Sequence, residues 1–204
     1  ARTITGSRTP CCFTDSNSQT NVGFTAVFVH DTVIYSDFGP LHGNALRFQI
    51  EHGVGSNSKT APGYQTVQID ARNYFRLSGS SSFAVRGVWL NSTRSTGDHV
   101  IFGGNDTLRN YPYFSVAGNK VGYGSAELRF PIPATYILGT PVRGALFGDY
   151  AAVKFSNDMS PTRREWAYGF GLQTDIFLPM NFEWARTRFA PNKWNFNFRI
   201  GYSF

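Results

Sequence analysis

The sequence has two cysteines, Cys11 and Cys12, and they are neighbours. A bridge between adjacent residues is strained. No disulfide framework therefore holds this fold, and the pair reads as free thiols or as partners for another chain. Charge is also scarce. Asp, Glu, Lys and Arg make up 16% of the residues, against about 25% in an average soluble domain. Together with 16% aromatics (19 Phe, 10 Tyr, 4 Trp), this excludes a disordered, solvating chain. Long hydrophobic runs are missing, and no window approaches the ~20 apolar residues of a membrane-crossing helix. No basic and apolar leader opens the chain at Ala1, so the sequence reads as a mature chain or a fragment. Lys and Arg (19) outnumber Asp and Glu (13), but they are scattered, with no run of four. Single cations fit loops or a polar lumen better than a nucleic-acid surface.

Covalent chemistry finds little support. There is no G-x-S-x-G nucleophile elbow. Ser56 and Lys59 form an S-x-x-K match in a Ser/Asn/Gly-rich loop, where it reads as chance. His30, His42, His52 and His99 lack the spacing of a metal site. The expectation is a protein with no catalytic residues, no metal and no cofactor.

What the sequence does have is alternation. Trp194, Phe196, Phe198, Ile200, Tyr202 and Phe204 alternate with Asn195, Asn197, Arg199, Gly201 and Ser203. Strand side chains change face at every residue, so this segment is a strand with one apolar face and one polar face. The pattern recurs in Leu46-Phe48-Ile50, Val67-Ile69-Ala71, Ala126-Leu128-Phe130-Ile132 and Trp166-Tyr168-Phe170-Leu172. Nine strands are expected, near 24–36, 44–55, 64–78, 82–94, 120–132, 142–155, 165–177, 181–189 and 194–204. Tight turns are expected at Gly79 to Ser81 and at Leu178-Pro179-Met180. Longer polar connections are expected at 56–63, 95–119 and 156–163.

Short turns at one end and long loops at the other describe an antiparallel up-and-down meander. A soluble sandwich or a lipocalin would alternate as well. Here the apolar faces are bulky and aromatic, while the opposite faces carry Arg47, Glu51, Asp70, Arg72, Glu127, Arg129 and Asp149. Charges on one face suit a polar lumen within an apolar exterior, the inverse of a lipocalin. Only helices or closed barrels satisfy every backbone polar group in lipid. The fold expected is all-β, a transmembrane β-barrel segment over 21–204 after a loop or partial strand at 1–20. Trp166, Tyr168, Phe177, Trp184, Trp194, Tyr202 and Phe204 would supply its interfacial girdles.

A run of motifs adds to this reading. Gly103-Gly104-Asn105-Asp106-Thr107-Leu108-Arg109-Asn110-Tyr111 is followed by Gly118-Asn119, by Glu127-Leu128-Arg129-Phe130-Pro131 and by Phe147-Gly148-Asp149; Gly39-Pro40-Leu41-His42-Gly43 precedes it. Over roughly 24–204 this order resembles the C-terminal barrel region of the bacterial surface-antigen, or BamA-type, outer-membrane superfamily. Those barrels carry a long extracellular loop that folds inward and bears a (V/I/L)-R-G-(F/Y) tetrad. Here the tetrad reads Leu108-Arg109-Asn110-Tyr111, with Asn for Gly, a residue that also tolerates left-handed backbone. Phe147-x-Asp149 resembles the family's F-x-D-x-G strand, with Ala151 where Gly is usual.

The resemblance implies that Arg109, on the inward-folding loop 95–119, meets Glu127 and Asp149 on the inner wall and staples the loop there. Physics supports such pairing, because an unpaired buried guanidinium is costly. The competing reading is a solvated arginine that pairs with nothing. The terminal alternation ending in Phe204 resembles the signal read by the barrel-assembly machinery. Family barrels have about sixteen strands, usually behind periplasmic POTRA domains, and single-chain bacterial barrels close with an even count. Nine or ten strands therefore favour a partial or split barrel, completed by strands of the same or another chain. The function implied is insertion or translocation of proteins at the bacterial outer membrane. The alternatives are the membrane anchor of a larger protein, such as a patatin-type phospholipase, and a small passive pore. The partners implied are outer-membrane lipid and lipopolysaccharide, with no nucleic acid.

Overall fold

The computed structural model describes residues 22–36, 39–55, 63–93, 100–104, 107–113, 115–155 and 162–201. The expectations for 1–20, Cys11, Cys12, Tyr202 and Phe204 lie outside these. Twelve strands are present among the described residues: β1 (Val22–Asp31), β2 (Ile34–Ser36), β3 (Gly39–Val54), β4 (Tyr64–Arg76), β5 (Ser82–Ser92), β6 (Val100–Phe102), β7 (Val116–Gly118), β8 (Lys120–Ile137), β9 (Thr140–Lys154), β10 (Arg163–Asp175), β11 (Pro179–Thr187) and β12 (Ala190–Ile200). Nine of them form one antiparallel meander, in the order β1-β3-β4-β5-β8-β9-β10-β11-β12, with β2 folded against β3. Among the described residues β1 and β12 are the edges, and the sheet is open.

These nine are the strands that alternation predicts, with shifted ends. The predicted 24–36 strand breaks at residues 32–33. There Asp31 Oδ1 accepts the Val33 N–H at 2.8 Å, an Asx-type turn that competes with the ladder. β8 runs past Pro131, which reads as its exit, and ends at Ile137. The β5 pairing ends at Ser82↔Arg129, so beyond Arg129 this side of β8 is an edge, where proline's missing N–H costs nothing. Its far end turns tightly through Leu138 and Gly139, both at positive φ (51° and 81°), as a two-residue hairpin requires. The turn after β10 occupies 176–178, so Pro179 and Met180 already lie in β11. The terminal strand starts earlier than expected, at Ala190, and ends at Ile200.

Register fixes the faces. In β8 the odd residues Val121, Tyr123, Ser125, Glu127 and Arg129 are buried, while the even ones stay partly open. The same parity holds in β9, β10 and β11. Apolar rows therefore point outward. Phe28, Phe48, Trp89, Leu146, Tyr150, Tyr168, Phe170, Trp194, Phe196, Phe198 and Ile200 are all exposed. Outward aromatics pack across strands, Phe170 stacked on Trp184 (5.6 Å between centroids) and Trp184 tilted against Phe196 (5.2 Å). The charged rows point inward and are closely covered, with Glu127, Arg129, Asp149, Glu165, Glu183 and Arg199 all buried.

Close strand approach depends on Gly169. A Cβ there would lie 2.1 Å from the Trp184 carbonyl oxygen and 3.0 Å from the Phe147 ring. Gly169→Ala is expected to destabilise the barrel by about 1–3 kcal/mol through overpacking, seen as a lower temperature for the loss of the compact, fast-migrating band on gels.

Candidate functional site: an arginine locked into the lumen

The segment from 93 to 119 links β5 to β8 at the loop end of the sheet, and its described residues 107–111 pack against the inner face. Its described residues include a short ribbon, β6 with β7, which three-residue strands are too short to announce by alternation. The tetrad follows between them, and each of its residues has a separate attachment.

Leu108 is fully buried. It packs in an apolar cluster with Val88, Leu90, Val116, Val121, Tyr123 and Val153. Part of the inner face at this end is thus apolar, and the Arg109 layer lies deeper. The Tyr123 hydroxyl donates to the Thr107 carbonyl at 2.7 Å.

Arg109 enters the polar layer below. Its Nε and Nη2 donate to Asp149 Oδ2 and Oδ1 at 2.9 and 2.8 Å. The backbone N–H of Arg109 reaches Asp149 Oδ2 at 3.2 Å, Nη1 reaches Glu127 Oε2 at 2.5 Å, and Nη2 reaches the Ser125 hydroxyl at 3.1 Å. Ser125 in turn donates to Asp149 Oδ1 at 2.6 Å. The guanidinium also lies over the Phe147 ring, 3.8 Å from its centroid. The structure thus brings Arg109, Glu127 and Asp149 together. Burial works to lower the pKa of Arg109, but Asp149 and then Glu127 outweigh it and hold the group charged, well above its ordinary value.

The cluster extends beyond these three. Glu183 Oε1 on β11 lies 3.9 Å from Arg109 Nη1 and 3.1 Å from Arg199 Nη2 on β12. Arg129 Nε donates to Glu127 at 2.7 Å, and Gln173 on β10 donates to the same oxygen at 3.1 Å. Three arginines thus face three carboxylates across β8, β9, β11, β12 and the loop. Sequence reasoning passed over Glu183, Arg199 and Glu165. Parity was the available signal, since Glu183 shares the inward register of Asn181 and Arg199 that of Asn195 and Asn197.

Asn110 takes the left-handed conformation (φ 62°), turning the chain as the family's glycine would. Tyr111 then points to β10, where its hydroxyl lies 3.0 Å from both Glu165 Oε2 and the Trp166 carbonyl. Burial, and then Glu165, push the phenol up to about 12. A raised folded-state pKa contributes stability that is complete below the unfolded value near 10 and is lost as pH rises through about 12. Tyr111→Phe is expected to lower stability by about 1–2 kcal/mol at neutral pH and to flatten the decline between pH 10 and 12, as read by thermal unfolding in detergent across that range.

This is a transmembrane-type barrel wall with an arginine-bearing loop packed on its inner face. The Omp85 superfamily domain matches residues 36–204, and the chain belongs to that superfamily of outer-membrane β-barrel proteins. Among solved structures it is similar to BamA from Haemophilus ducreyi lacking POTRA domains 1–3, with a TM-score of 0.68 and 18% sequence identity. The match covers 86% of this chain and 41% of that one, so the chain spans about two fifths of the BamA chain's length. No curated protein sequence matches.

Proposed function

We propose that this chain forms part of a bacterial outer-membrane barrel that acts in the insertion or translocation of proteins, with Arg109, Glu127 and Asp149 stapling the loop to the wall. The observation that carries this reading is the arginine network. Arg109 by itself donates five hydrogen bonds that hold the loop in the lumen, to Asp149, Glu127 and Ser125. Among the described residues the sheet ends on two edges, Val22–Asp31, which pairs only with β3, and Ala190–Ile200, which pairs only with β11. In lipid these edges need partners, so further strands, from the same or another chain, complete a barrel of about sixteen. The outward row ending in Trp194, Phe196, Phe198 and Ile200, continued in sequence by Tyr202 and Phe204, serves as the signal for the assembly machinery.

The test is reconstitution of the natural full-length polypeptide in vesicles presented with a urea-unfolded outer-membrane barrel. The expected result is faster appearance of the client's compact, heat-modifiable form, and slower appearance with Arg109→Ala. A folded, reconstituted protein that leaves the client's rate unchanged would contradict the proposal. Steady conductance in planar bilayers without client acceleration would point to a passive pore.

A further inference from the structure

The outward surface of β8–β12 is electrically one-sided. Every carboxylate of these strands, Glu127, Asp149, Glu165, Asp175 and Glu183, has inward register. The outward positions carry cations, and all of them lie at the loop end. Lys120 and Lys154 are register partners on β8 and β9. Arg164 follows on β10, opposite Ala152, and Arg186 on β11, opposite Tyr168. Arg188 completes the row in the turn before β12. Among the described residues none of these five forms an ion pair.

Arg164 and Arg188 share a cleft of about 640 Å³ with Thr162, Tyr150 and Trp166. Arg188 is fixed there, its backbone N–H bonded to the Trp166 carbonyl at 3.1 Å and its Nη1 to the Arg164 carbonyl. Beside the cleft Arg186 lies 4.6 Å from the centroid of the Trp194 ring, and its Nε is buried without a hydrogen-bond partner. The cleft is thus cationic above and aromatic below, and it opens on the outward face.

We propose that this rim binds the phosphate headgroup of a membrane lipid. Guanidinium forks match phosphate oxygens in shape as well as charge. Basic pockets at the edge of the apolar band are where anionic headgroups sit. The cleft's lower half, Tyr150 and Trp166, needs an apolar occupant, so the ligand is an amphiphile with its phosphate between Arg164 and Arg188 and its chains along the aromatic wall. Free phosphate would leave that half empty. The proposal rests on the outward face meeting lipid and is independent of whether the barrel inserts proteins.

Native mass spectrometry of the full-length protein in detergent tests it, with phosphatidic acid as ligand and with diacylglycerol of the same chains and inorganic phosphate as competitors. Phosphatidic acid adducts are expected to resist both competitors. Arg164→Gln with Arg188→Gln should weaken them by roughly tenfold or more. Each single substitution should weaken them less, which keeps the test usable if the double variant misfolds. Arg47→Gln with Arg76→Gln removes two cations elsewhere and should leave binding unchanged. Equal loss in that control would reduce the effect to net charge and overturn the proposal. So would displacement by diacylglycerol, which reports acyl packing alone, displacement by inorganic phosphate, which reports a free-anion site, or unaltered binding in the double variant.

Discussion

Arg109→Ala is expected to free the 100–119 segment from the wall. The substitution removes one cation and leaves the Glu127, Asp149 and Glu183 carboxylates together, each at most 4% exposed. Breaking a buried pair by deleting one partner costs about 3–5 kcal/mol, because the remaining charge has lost its compensation. Arg129 and Arg199 offset part of this, since each already bonds one of the carboxylates. Asp149 has no such substitute: Arg109 donates three hydrogen bonds to it and Ser125 one. Proteinase K, which needs no basic residue at its cleavage site, should cut the loop rapidly in the variant and slowly in the parent. Arg109→Lys should fall between, because one ammonium cannot span Asp149, Glu127 and Ser125 in the geometry of a planar fork. Equal protection of parent and alanine variant would show that Leu108 and Tyr111 hold the loop unaided.

Two adjacent residues of β4 should behave oppositely. Ile69 lies outward in register with Phe48 and Trp89, and Gln68 lies inward in register with Gln49 and Leu90. Ile69→Arg is expected to cost about 2–4 kcal/mol if it sits near the bilayer midplane, and to lower the yield of folded protein sharply. Gln68→Arg should cost less, since its side chain faces away from lipid, on the inward face of β4 that also carries Asp70. Equal penalties at both positions would mean that the sheet does not separate lipid from lumen.

Much of this architecture could be read from the residues. The alternation at 126–132, 166–172 and 194–200 reports which face each side chain takes, and in a wide antiparallel sheet that pattern survives any error in the strand ends. The ends were harder, because turns obey local chemistry such as the Asp31 contact to Val33 and the positive φ at Leu138. Short pairings, β2 with β3 and β6 with β7, left no periodic trace. Arg109, Glu127 and Asp149 could be named because motifs mark them. Glu183, Arg199 and Glu165 could not be singled out, since one inward acid or base among polar neighbours looks like any lumen residue until the fold brings β11 and β12 beside the loop. The apolar lining at the loop end was hidden for a related reason. Val88, Leu90, Val121 and Val153 share the inward parity of the charged residues, and only the docked Leu108 explains why they are apolar.

All four tryptophans of the chain, Trp89, Trp166, Trp184 and Trp194, have outward register. Their fluorescence is therefore a direct reading of what the outward face touches. In vesicles of phosphatidylcholine brominated along its acyl chains, the account predicts strong quenching relative to unbrominated lipid, with little further quenching by aqueous iodide. Emission indifferent to bromolipid, in a protein that is folded and vesicle-bound, would contradict the claim that the aromatic rows lie against lipid and the charged rows against the interior.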